Sequence, residues 1–221
     1  MAEDKALIVT IDGPSGAGKS TVAKMLARAL KYAYLDTGAM YRGVAYAYMK
    51  EGEPEDINRF LKNLVIDFTF GAETKVFLDG EDVSGHIRDP EVSLRASSFS
   101  QNRVVREYLT EKQRDIGRKG GIVLEGRDTG SIVFPDAEIK FYIDANPEER
   151  AKRRHLELSS KGMDAELATV EKEMIARDKN DSERALAPLV IPKDAIPVDT
   201  TGIDAQQVVN IMVKCISERR R

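Results

Sequence analysis

The chain has 221 residues without a repeating period, enough to bury a core, so one domain is expected rather than an array of modules. Charged residues make up 32% of it yet nearly cancel, to a formal charge of -3, which argues against a general electrostatic grip on nucleic acid or an anionic membrane and leaves anion chemistry to local clusters. The single cysteine excludes an internal disulfide framework, His86 and His155 alone are too few for a zinc site, and neither a secretory start nor a bilayer-length apolar run is present, so a cytoplasmic protein is expected.

Residues 7–11 (LIVTI) form a continuous apolar run, as expected of a strand covered on both faces in a parallel sheet. A glycine-rich loop follows, and from Ser20 to Leu30 the spacing of Val22, Leu26 and Leu30 predicts a helix with one apolar face. At 66–70 apolar residues alternate with Asp67 and Thr69, 71–74 reads as a turn, and VFL at 76–78 leads into Asp79-Gly80, a hairpin signal. This predicts a small antiparallel lobe inserted into an α/β pattern. Further strands are expected at 122–124 and 139–143, with a short one at 195–198 whose Pro197 is awkward for a central position. Asn146, Pro147 and Glu149 open a helix as cap, first residue and first-turn acid, and Arg150, Lys152, Arg153 and Arg154 crowd it before the loop at 159–162. Asp204 opens the last helix similarly; Val208, Ile211, Met212, Cys215 and Ile216 make its apolar face, so Cys215 reads as packing rather than a reactive thiol. The fold class expected is α/β, a doubly wound parallel sheet with two mobile lobes.

The loop Gly13, Pro14, Ser15, Gly16, Ala17, Gly18, Lys19, Ser20, Thr21 has the spacing G-x-x-x-x-G-K-[ST] between a predicted strand and a predicted helix, the setting of a phosphate-binding loop. Its glycines let backbone N–H groups converge on an anion, and the helix adds the positive end of its dipole. Lys19 can reach the β and γ phosphates of a nucleoside triphosphate, and Ser20 offers its hydroxyl to Mg²⁺. A guanine reader N-K-x-D is absent, since DKND at 178–181 has the wrong first residue and follows a helix. A motor-type ATPase would want a strand ending in an acidic pair, which IVLE at 122–125 matches only in part. A small-molecule kinase remains, and it needs a second anion site built from arginines, whose planar forks match phosphate oxygens. Arg42, Arg106 and Arg127 stand out, the last just beyond the carboxyl end of a predicted strand, where open α/β sheets bind ligands.

The motifs DTGAMYR at 36–42, LEGRDTGSIVFPDA at 124–137 and RDKNDSERALAPL at 177–189, together with GPSGAGKST and the antiparallel insert, resemble the bacterial cytidylate kinase family over essentially the whole chain. The resemblance implies a single kinase domain with a P-loop NTPase-type core, a nucleotide-acceptor insert at about 62–90 and a helical lid at about 148–165. It also implies transfer of the γ-phosphoryl group of ATP to CMP or dCMP, with Mg²⁺; a monomer is expected, although the sequence is silent on oligomeric state. Arg42 and Arg127 would hold the acceptor phosphate, and Arg150, Arg153 and Arg154 could close over the transferring group; taken singly, each lid arginine could instead pair with Glu148, Glu149 or Glu157 on the surface. Asp128 would accept from the amino group of cytosine, with Ser97 and Arg106 at the ring edge, Arg184 nearby, and Arg177 and Asp181 on the ribose; Asp181 is an equal candidate for the base. Tyr41 would flank the nucleotide. Thr37 stands where the family has serine, keeping the hydroxyl for the acceptor phosphate. Asp36 or Asp128 would hold a metal-bound water, and the sequence does not choose. The competing readings are an adenylate or shikimate kinase on the same scaffold, disfavoured by the insert and RDKNDSER, and an ATP-switched binding module without turnover.

Overall fold

The structure, a computed structural model, describes residues 6–71, 73–160 and 162–219; the acidic start at 1–5 and Lys161 of the predicted loop lie outside them. In chain order the elements are β1 (Ile8–Asp12), α1 (Lys19–Leu30), β2 (Ala33–Asp36), α2 (Thr37–Lys50), α3 (Ile57–Asn63), β3 (Ile66–Thr69), β4 (Lys75–Leu78) and β5 (Glu81–Asp82). Then come α4 (Pro90–Phe99), α5 (Arg103–Gly117), β6 (Ile122–Gly126), β7 (Ile139–Asp144), α6 (Pro147–Ser160), α7 (Leu167–Glu183), β8 (Ile196–Asp199) and α8 (Ala205–Arg219). Among the described residues no helix is long and apolar enough to cross a membrane.

Five parallel strands lie in the order β2-β6-β1-β7-β8, which makes β1 the centre and puts Pro197 on an edge strand, where a missing N–H costs least. Strand alternation divides the apolar side chains between two cores. Ile122 and Leu124 face a cluster with α2, α4, α5 and the insert, whereas Val123, Val9 and Ile11 face α1 and α8. Register then aligns the strand ends: Asp12 pairs with Gly126 and Tyr142, and Asp36 with Glu125. The polar residues that end β1, β2 and β6 therefore meet along one rim.

The insert is the expected antiparallel sheet, β3-β4-β5, and Asp79 (φ 51°) and Gly80 (φ 82°) supply the left-handed pair of a tight hairpin turn. The sequence reading leaves β2 unassigned and treats 71–74 as a plain turn. In the fold, Gly71 bridges Tyr34 in antiparallel fashion, and the Thr74 hydroxyl accepts from the Asp36 N–H at 2.8 Å. The insert thus covers the exposed edge of β2 and braces Asp36.

Between α5 and β6 the chain turns at Gly120 with φ +67°, and a Cβ there would lie 2.1 Å from the backbone oxygen of Ala6. Gly120→Ala is therefore expected to cost about 2 kcal/mol, since left-handed strain and a backbone clash act in the same direction. The check is a urea titration, with a lowered midpoint and an unchanged slope.

Candidate active site

β1 delivers the chain to the rim, and α1 begins at Lys19 after Gly18, whose φ of 86° admits the turn and which places no side-chain cap on the first N–H groups. Those donors are left for an anion. Lys19 is buried, and its Nζ donates across the loop to the Pro14 carbonyl. Burial, then the neighbouring Arg127 guanidinium, push its pKa well below the ordinary lysine value. Phosphate oxygens arriving at Nζ would restore the charged form.

Beside Lys19, the Ser20 hydroxyl donates to Glu125 Oε2 at 2.8 Å and the Tyr34 hydroxyl donates to Glu125 Oε1. Glu125 is buried at the end of β6, and burial, followed by the charge of Asp36, raises its pKa. Asp12, at the end of β1, accepts from the Thr129 N–H at 2.9 Å, the Thr129 hydroxyl at 2.8 Å and the Gly130 N–H at 2.7 Å; burial raises its pKa too.

A second charged cluster adjoins the first. Asp36 caps α2 through the Ala39 N–H at 2.9 Å and holds the Arg42 Nη2 at 2.9 Å. Arg127 Nε meets Asp181 at 2.9 Å, Arg184 reaches Asp181 at 3.7 Å and Asp128 at 3.4 Å, and Asp128 also pairs with Arg106. The Arg106 guanidinium lies 5.7 Å from the Tyr41 ring centroid, and burial pushes the Tyr41 phenol up to about 12. Arg177, though exposed, has its pKa lowered to about 10, first by desolvation and then by the Arg127 charge. Four guanidiniums, of Arg106, Arg127, Arg177 and Arg184, thus face two carboxylates, of Asp128 and Asp181, an excess of two positive charges. That excess suits a phosphate dianion.

The family model described as cytidylate kinase matches residues 9–218. A cytidylate kinase of Bacillus cereus (strain ATCC 10987 / NRS 248) is 45% identical over 219 residues, 97% of each chain, and one of Bacillus thuringiensis (strain Al Hakam) gives the same figures. The chain belongs to the cytidylate kinase family. It is accordingly an enzyme, a nucleoside monophosphate kinase that moves the γ-phosphoryl group of ATP to CMP or dCMP. Its fold is also that of a crystal structure of an uncharacterized protein from Eubacterium ventriosum ATCC 27560, with TM-score 0.53 and 16% identity over 97% of this chain and 99% of that one.

The fold gathers Lys19, Tyr41, Arg42, Arg106, Arg127, Asp128, Arg177, Asp181 and Arg184 into one connected set of charges. Thr37 is buried and its hydroxyl donates to the Glu125 carbonyl at 2.7 Å, while Thr21 is exposed on α1. The Ser97 carbonyl accepts from the Ser100 hydroxyl at 2.7 Å, and Ser97 lines a 620 Å³ cavity with Tyr48, Phe99, Asn102 and Asn180. Ser100, missed in the sequence, lies nearer the charges, since its carbonyl accepts from Arg106 Nη1 at 2.9 Å.

The lid arginines separate. Arg150 does not lie free to close over a substrate: it is buried, pairing with Asp178 and donating to the Ser15 carbonyl at 3.0 Å. Arg153 pairs with Glu149 and donates to the Thr200 carbonyl at 2.7 Å, and Arg154 pairs with Glu157 at 2.7 Å, so both make the acidic contacts foreseen as their surface alternative. Arg153 nevertheless sits at the glycine-rich loop, its Nη1 3.8 Å from where a Gly18 Cβ would stand.

Neither Asp36 nor Asp128 touches Ser20; Glu125 does. Its signal in the sequence is the apolar strand IVLE at 122–125, which ends in a single acid. The raised pKa of Glu125 carries a sign. Folding favours its protonated form, so its burden on stability is absent below the usual glutamate value of 4.5, grows as pH rises through 4.5 towards the raised value, and is complete above that. Glu125→Gln is expected to flatten this fall in stability. Ligand-free urea titrations across that window measure it, and an identical pH slope in the two proteins would contradict the assignment.

Proposed function

We propose that donor and acceptor meet across the shared rim, with ATP in the loop at 13–21 and CMP or dCMP among Tyr41, Arg42, Arg106, Arg127, Asp128, Arg177, Asp181 and Arg184. The observation that carries this reading is the arginine cluster adjoining Lys19, with Arg127 and Arg177 close enough to act on its charge, a site for a second phosphate next to the first. The acceptor oxygen is already ionised near neutral pH, so no general base is needed; alignment and charge stabilisation do the work. Lys19 holds the donor phosphates, Arg42 and Arg127 hold the acceptor phosphate, and Arg153 and Arg154 exchange their glutamate partners for the transferring group. Asp128 reads the cytosine amino group while Arg106 sets the ring edge, and Arg177 and Asp181 serve the ribose. Thr37 and Ser97 complete the acceptor pocket.

The residues present fit a divalent cation. Ser20 and Glu125 offer hard oxygen donors in contact with each other at the donor loop, and Glu125 would supply its carboxylate directly or through water. When bound, Mg²⁺ neutralises charge on the β and γ phosphates. A cytoplasmic monomer is part of the same proposal. An ADP-release assay with CMP, UMP, AMP and GMP tests the assignment. CMP is expected to react far faster than the rest, and a flat profile, or no turnover with any of them, would refute it.

A further inference from the structure

Helix α7 carries the acceptor residues Arg177 and Asp181 and ends at its C-cap residue Arg184, but Asp178, among them in sequence, engages the donor loop. Its Oδ1 accepts the Ser15 N–H at 2.9 Å, and its Oδ2 pairs with Arg150. Arg150 in turn donates to the Ser15 carbonyl at 3.0 Å and, through Nε, to the Ala145 carbonyl at 3.0 Å, just beyond β7. Both polar groups of the Ser15 backbone are therefore held by α6 and α7. The next residue is equally confined: a Cβ on Gly16 would lie 2.7 Å from the Arg150 carbonyl oxygen and 2.7 Å from the tip of Met174, which belongs to α7.

We infer that Asp178 and Arg150 are positioning residues that tie the donor loop to the acceptor-reading helix, so that each substrate favours the arrangement the other needs. A helix moves as a unit. If Arg177, Asp181 and Arg184 draw α7 toward CMP, Asp178 carries that shift to the peptide that starts the phosphate cradle. The inference rests on the acceptor assignment proposed above. Linkage requires the effect to be reciprocal: ATP tightens CMP by the same factor by which CMP tightens ATP, about 5- to 150-fold for couplings of ordinary size.

The test is calorimetric titration of CMP with and without a non-hydrolysable ATP analogue and Mg²⁺, on the wild-type chain, Asp178→Ala and Arg150→Met, each checked for an intact melting transition. The wild type is expected to bind CMP more tightly with the analogue present, and both variants to bring the ratio of the two affinities towards one. A role confined to stability would lower the melting temperature and leave the ratio alone. A variant ratio within about twofold of the wild-type ratio, or a wild-type ratio of one, overturns the inference. Failure of the wild type to bind CMP at all would instead sink the acceptor assignment, so the two outcomes are distinct. Should Asp178→Ala not fold, Asp178→Asn keeps an acceptor for Ser15 while losing the charge pair with Arg150, and its ratio decides in the same way.

Discussion

Arg127→Lys is expected to lower kcat by about 10²- to 10³-fold although the charge is kept, the loss typical of removing one fixed donor from a developing charge. Arg127 spends Nε on Asp181 at 2.9 Å and one Nη1 hydrogen on the Gly126 carbonyl at 3.1 Å. A guanidinium has about five N–H donors in one plane, so the rest of the fork stays aimed by those anchors. Lysine has no such plane. Its ammonium can satisfy Asp181 or a phosphate oxygen but cannot be steered by one while serving the other, and its loss should therefore appear in kcat more than in KM. Steady-state kinetics with CMP and MgATP give the answer, and activity within a few-fold of wild type would show Arg127 to be misplaced.

The second large effect is on choice of base. Asp128 is buried with one oxygen on Arg106 and the other 3.4 Å from Arg184, so its carboxylate is fixed in direction and retains lone pairs for a further donor. In the proposed assignment the amino group of cytosine supplies that donor, whereas uracil presents a carbonyl that a carboxylate repels. A hydrogen bond to a charged group is worth about 1.5–3 kcal/mol, so Asp128→Ala is expected to shrink the CMP to UMP ratio of kcat/KM by about 10- to 100-fold. Removing Asp128 also leaves Arg106 and Arg184 short of a partner, so Asp128→Asn serves as a companion that keeps the volume. Should both leave the ratio untouched while Asp181→Ala changes it, Asp181 is the base reader.

The features legible in the sequence are those whose cause is local. The phosphate loop follows from glycine and lysine spacing between a strand and a helix. The capping box of α8 follows from Asp204 and Gln207, whose side chains do reach each other's N–H groups at 2.8 and 2.9 Å. The hairpin of the insert follows from Asp79-Gly80. What stayed hidden depends on contacts that topology alone creates. Ser20 and Glu125 are 105 residues apart, and Ser15 and Asp178 are 163 apart. Nothing in a run of four basic residues on one helix marks Arg150 as the buried one, because its partners lie on β7, the donor loop and α7. Edge strand β2 was missed because its apolar core is only Tyr34-Leu35, too short for alternation to register, and its edge is completed by a loop from a separate lobe.

The central claim is that two phosphate sites face each other across one rim, with Lys19 on one side and Arg127 on the other. A molecule carrying adenosine and cytidine at opposite ends of a polyphosphate bridge tests it most directly, since joining two ligands pays off only where both sites can be occupied at once. It is expected to compete with both ATP and CMP and to bind at least about 100-fold more tightly than either. Competition with one substrate alone, at an affinity no better than that substrate's own, would contradict the account.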